Sequence, residues 1–137
     1  MGQLSLTGTL SAGPPAGAEA FPGSNMQVPL ALLAGASTTY GVASGILTQN
    51  VASPSPAYLT LSAVGASGPV TQGLFLYLKT SDSMLLEVTH DDGSGGTLVR
   101  LVPVRGLFIL EFPTNMPLEG LRIQGSGRIE YFVAGQT

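Results

Sequence analysis

The stretch Leu121-Arg-Ile-Gln-Gly-Ser-Gly-Arg-Ile-Glu-Tyr-Phe-Val133 decides how this chain is read. It reads as two short strands, Leu121–Gln124 and Arg128–Val133, paired across a Gly125-Ser126-Gly127 turn, because glycine readily takes the backbone angles that a turn needs. Similar signals run back through the sequence. In Leu4-Ser5-Leu6-Thr7-Gly8-Thr9-Leu10 the leucines share one face and the hydroxyl residues the other, the period-two pattern of a half-buried strand. Gly73-Leu-Phe-Leu-Tyr-Leu78 is apolar on both faces and reads as a central strand of a two-layer core, and Gly106-Leu-Phe-Ile-Leu-Glu-Phe112 reads as another strand apolar on both faces. Met84–His90 and Thr97–Val104 flank Asp91-Asp-Gly-Ser-Gly-Gly96, a strong hairpin signal, since Asp and Gly tolerate positive φ.

Further strands are predicted over Met26–Leu32, where Pro29 marks an edge, over Tyr40–Thr48 and over Tyr58–Val64. The turn-rich run Gln49–Pro56 separates the last two. Residues 11–24, rich in Pro, Gly and Ala, read as an extended arm or loop. Many short strands at regular spacing, with no sustained 3.6-residue apolar stripe, predict an all-β chain. The expected architecture is an antiparallel β-sandwich or jelly-roll-like single domain over residues 1–137, with an extended N-terminal arm.

Charge is distributed unevenly. Residues 1–78 carry one charged side chain, Glu19, while the other twelve follow: Lys79, Asp82, Glu87, Asp91, Asp92, Arg100, Arg105, Glu111, Glu119, Arg122, Arg128 and Glu130. A soluble domain is charged at about a quarter of its residues, so the first half is expected to be contact surface and core. Partners are expected to touch residues 1–78 more than 79–137. The net charge of −3, with five basic residues, argues against nucleic acid, which demands several phosphate contacts. The uncharged window Met26–Leu47 is interrupted by Pro29, Ser37, Thr38, Thr39, Tyr40 and Ser44 and lacks basic anchors, so no membrane span is expected. The N-terminus has neither the basic nor the apolar region of a secretory signal. Without cysteine there is no disulfide framework and no thiolate metal site.

No catalytic, cofactor or metal residue is assigned, and the chain is not expected to be an enzyme. His90 is the sole histidine and lies beside Asp91 and Asp92, but no Gly-x-Ser-x-Gly elbow accompanies it. Asp91-Asp92-Gly93 lacks the ligand spacing of an EF-hand. Lys79 follows a strand rather than a phosphate-cradling loop, and Gly125-Ser126-Gly127 lacks the third glycine of a dinucleotide fingerprint. Glu87 and Glu111 sit mid-strand. They are weighed as an acid pair for sugar hydrolysis and, with Arg100, Arg105, Arg122 and Arg128, as members of cross-strand or subunit-boundary ion pairs, the favoured assignment. Tyr40 or Tyr58 beside Gln49 and Asn50 would suit a shallow carbohydrate groove.

Three runs, Gly106-Leu-Phe-Ile-Leu-Glu-Phe-Pro113, Leu118-Glu-Gly-Leu-Arg-Ile-Gln-Gly125 and Gly127-Arg-Ile-Glu-Tyr-Phe-Val-Ala-Gly135, carry a resemblance. Together they resemble the close of small β-rich structural proteins of tailed bacteriophages. The resemblance covers roughly the last third and brings no catalytic residues. It implies a virion protein assembled in the host cytoplasm, most of all a capsid decoration or cement protein, or another capsid or tail component. The implied partners are further copies of the chain, a trimer among the options, and other virion proteins such as the major capsid protein. The alternative is a carbohydrate- or surface-binding β-sandwich module, an adhesin or receptor-binding domain.

Overall fold

The computed structural model describes residues 2–12, 26–32, 37–66 and 68–136. Every regular element among them is a strand. Contacts divide the chain into two compact units, one formed by Gly2 with the chain from Tyr40 onward and the other by Gln3–Thr39.

Residues 3–39 build short ribbons. β1 (Gly2–Ser5) pairs with β4 (Ser37–Tyr40), and β2 (Thr9–Ala12) pairs antiparallel with β3 (Met26–Pro29) from Thr9↔Pro29 to Ala12↔Met26. The strand expected over Leu4–Leu10 is therefore two strands. Residues 6–8 leave the ladder, and Gly8 O instead accepts the Leu30 N–H at 2.9 Å. Of the arm expected over residues 11–24, Ser11 and Ala12 complete β2, and 13–24 lie outside the described residues.

The larger unit is one antiparallel sheet folded over on itself. Its strands are β5 (Val42–Ala43), β6 (Leu47–Ser53), β7 (Leu59–Thr60), β8 (Gln72–Thr80), β9 (Met84–Asp91), β10 (Thr97–Val104), β11 (Leu107–Glu111) and β12 (Leu118–Gln136). The order is β10-β9-β12-β8-β11, with β5, β6 and β7 following one another along the other side of β12. The nineteen residues of β12 pair first with β9, from Leu118↔His90 to Gln124↔Leu85, and then with β8, from Ile129↔Thr80 to Gln136↔Gln72. Leu118 and Gly135 both pair with Gly73, so the two ends of β12 return to one place. The result is an all-β, sandwich-like unit, as the sequence pattern predicts.

Gly125-Ser126-Gly127 is thus not the turn of a hairpin. It continues β12 at the fold of the sheet. Alternation is unbroken across it: Leu121, Ile123, Ile129, Tyr131 and Val133 are buried, and Gly125 and Gly127 take the same inward phase. Their φ angles are +143° and +145°, and a Cβ would meet Met84 Cγ at 2.9 Å from Gly125 and Ser81 Oγ at 2.7 Å from Gly127. A residue without Cβ is needed because the two layers converge on the inner side of the bend. Neighbouring strands break at the same line. Ser53 pairs with Gly125, Ser81 N–H donates to Arg128 O at 2.9 Å, and Thr80 N–H donates to Gly106 O at 2.8 Å.

Between the layers lies one core of Val51, Leu61, Val70, Leu76, Leu78, Leu86, Val88, Leu118, Leu121, Ile123, Ile129 and Val133, with others around them. Apolar burial of this kind stabilises at roughly 25 cal/mol per Å². β8 is central, as expected, with Leu76 and Leu78 facing this core and Phe75 packed edge-on to Phe132, centroids 6.2 Å apart. Two expectations are corrected. Gln49–Ser53 belongs to β6 rather than to a turn, because pairing with Gly125–Ile129 draws it into the sheet and buries Val51. Of Tyr58–Val64, only Leu59–Thr60 is strand. Leu61, Ala63 and Val64 are buried nonetheless, in the segment that leads back to β8.

Candidate functional site

The sheet leaves two end strands. β10 and β11 stand at the opposite ends of the strand order, and they carry most of the large apolar side chains exposed among the described residues: Leu98, Val99 and Leu101 on β10, Leu107 and Leu110 on β11. Val99 is 58% exposed, Leu101 57% and Leu107 60%, although they occupy strand positions. On β10 the register with β9 turns Leu98, Arg100, Val102 and Val104 to the face of buried Val88, Leu86 and Met84, and Val99 and Leu101 to the opposite face. Both faces are open over Leu98–Leu101. The strand expected over Gly106–Phe112 is β11, and it has β8 on one side only. A groove of about 400 Å³ runs between these edge strands, lined by His90, Arg100, Val102, Leu110, Phe112 and Met116 among others.

The residues weighed for chemistry do not assemble into a reaction centre. His90 Nδ1 lies 2.7 Å from Asp91 O, and its ring tilts against Phe112 at 6.5 Å. The neighbouring carboxylates serve the turn. Asp91 Oδ1 accepts the Gly93 N–H at 2.6 Å, and Asp92 Oδ1 accepts from Ser94 at 2.7 Å and Gly96 at 3.0 Å. The predicted hairpin is present, its loop held by these side-chain acceptors. Among the described residues there is no cluster of three or more potential metal ligands. No helix there is long and apolar enough to cross a membrane.

Glu87 and Glu111 are separated: Glu87 borders a hollow with Glu119 and Arg122, whereas Glu111 lines the groove near His90. Glu87 makes the expected cross-strand pair with Arg122, Nε to Oε1 at 2.7 Å and Nη2 to Oε2 at 2.8 Å, at register partners of β9 and β12. The hydrogen bond from Arg122 holds the Glu87 carboxyl below the usual range despite its partial burial, and raises the Arg122 guanidinium. The same guanidinium lies 4.9 Å over the Tyr58 ring. Tyr77 Oη donates to Glu130 at 2.8 Å, and burial first, then this bond, raises its pKa. Burial raises Tyr131 as well.

The residues suggested for a carbohydrate groove are scattered. Tyr58 is engaged with Arg122, Gln49 Oε1 accepts a hydrogen bond from Tyr131 Oη at 3.4 Å, and Tyr40 precedes Gly41, which bonds Gly135 at the far end of β12. The apolar edge was not singled out from sequence. Leu98-Val-Arg-Leu-Val102 has the composition of a buried strand, and only its place at the end of the sheet exposes it. No protein-family model, no curated protein and no solved structure matches this chain.

Proposed function

We propose that this chain is a non-enzymatic structural component of a virus particle, a capsid decoration or cement protein or another capsid or tail part, that acts through oligomeric lattice contacts. The observation that carries the reading is the pair of end strands β10 and β11, where Val99, Leu101 and Leu107 are more than half exposed. An end strand that exposes large apolar side chains is an association surface or an aggregation hazard. The charge-poor first half and the virion-like style of the last third point the same way. In this role binding energy is the whole mechanism: burial of apolar area between copies in a closed, symmetric arrangement.

Light scattering on the purified protein tests the reading. A mass that is a multiple of the 14.0 kDa chain, or co-sedimentation with assembled particles, is the expected result. A monomer at all concentrations that also fails to sediment with particles would overturn it.

A further inference from the structure

We infer that β10 is a self-recognition strand: two copies of this chain pair through it, antiparallel, about a two-fold axis at Val99. The inference rests on the oligomeric reading above and names the surface that serves it.

The direction of the backbone groups follows from two hydrogen bonds. Asp91 N–H donates to Pro117 O at 3.0 Å, away from β10, whereas Asp92 N–H donates to Gly96 O at 3.0 Å, within the hairpin. Direction alternates along an antiparallel ladder. Leu98, Arg100, Val102 and Val104 therefore bond to β9, opposite His90, Val88, Leu86 and Met84. Thr97, Val99, Leu101 and Pro103 turn their backbone groups outward. Pro103 falls in the outward set, where a missing N–H costs the sheet nothing. Among the described residues no strand pairs with this row.

Three features fit a second copy of the chain. First, an axis at Val99 sets Thr97 opposite Leu101 of the second copy and Leu98 opposite Arg100. All three outward donors of each copy are used, and the pairing does not call on Pro103 to donate. An axis at Arg100 would oppose two arginines, which is unfavourable for facing residues, and an axis at Leu101 would oppose Val99 to Pro103. Second, antiparallel order brings the end of β10 that leads to exposed Arg105 toward the Asp91–Asp92 turn of the other copy, twice per dimer. Opposite charges thus lie toward each other at both ends of the seam. Third, Val99 and Leu101 would continue as one apolar strip across the joined sheet, lowering the exposure that each has alone.

The absence of cysteine allows a register test. Val99→Cys should form a disulfide-linked dimer under mild oxidation, because facing residues of such a pair have Cα atoms about 5.5 Å apart, within disulfide reach. Thr97→Cys should not, since the two copies of residue 97 lie four residues out of register, roughly 13 Å apart. Equal cross-linking of both variants, or of neither, overturns the inference. In parallel, Val99→Lys with Leu101→Lys should lower the wild-type mass by light scattering with unchanged far-UV circular dichroism, because charge on an edge strand blocks pairing. An oligomeric wild type whose mass the double variant retains overturns the β10 assignment and leaves the assembly reading standing. A double variant that keeps the wild-type mass but no longer binds another virion protein also overturns it, since the strand then pairs with that protein. A wild type that is monomeric and binds no particle overturns both.

Discussion

Thr80 and Gly106 are tied to each other twice. The Thr80 N–H donates to Gly106 O at 2.8 Å, and the Gly106 N–H donates to Thr80 Oγ1 at 2.9 Å. Thr80 closes β8, and Gly106 lies between β10 and β11, so the pair holds two strand breaks in line at the fold of the sheet. Thr80 is only 6% exposed. Thr80→Val keeps the shape and removes the acceptor. It should cost about 1–3 kcal/mol by leaving a donor unpaired, and Thr80→Ser should recover most of that in chemical denaturation.

Gly125 and Gly127 face Met84 and Ser81 across the bend. Ala at either position forces a side chain into positive φ and into close contact with its neighbour. Each substitution should destabilise by about 1–3 kcal/mol, the usual cost of a residue held in a glycine-only backbone region. Ser126, which is exposed, should accept Ala with little change. If Gly125→Ala and Gly127→Ala melt at the wild-type temperature, the bend does not depend on glycine.

The Glu87–Arg122 pair sets an acid limb. The folded-state pKa of Glu87 is lowered, so its contribution is present above the ordinary glutamate range and fades as pH falls through and below it. Glu87→Gln should bring the melting temperature nearer to the wild type at about pH 3 than at about pH 7. An equal difference at both pH values would show that the ion pair does not drive the effect.

At alkaline pH the sign is reversed. Burial and the bond to Glu130 raise the pKa of Tyr77, so the neutral hydroxyl is favoured in the fold. Its contribution is intact below the ordinary tyrosine range and is lost as pH rises through the higher folded value. In an ultraviolet titration, Tyr77→Phe should remove a late-ionising tyrosine and leave the late step of Tyr131, which burial also raises.

Leu76→Ala tests the core directly. The side chain is fully buried between the layers, and truncation there should cost about 2–5 kcal/mol. The cross-linking of Val99→Cys should survive this change at low temperature, because β10 lies at the end of the strand order and Val99 is exposed.

How far the sequence reached differs from place to place. The Asp91–Gly96 hairpin was legible because its signal is local: each carboxylate caps amides within four residues of itself. The Glu87–Arg122 pair was legible as a type, charged residues mid-strand, but not as a partnership, since a gap of 35 residues closes only through the register of β9 and β12. That β10 and β11 are end strands was not legible. Leu98–Val102 and Leu107–Leu110 have the same apolar character as buried β8, and strand order alone separates a central strand from an edge. The charge distribution pointed to residues 1–78 as contact surface, yet most of the large exposed apolar side chains among the described residues lie beyond them.

By itself, the sequence determined that the chain is all-β, because period-two patterning and Asp/Gly turn chemistry act over a few residues. The tertiary structure decided what Gly125-Ser126-Gly127 does. A hairpin turn and a sharp bend in a long strand call on the same glycines, and both tolerate positive φ. Only the pairing of β12 with β9 on one side of the bend and β8 on the other makes it the fold line of a doubled sheet.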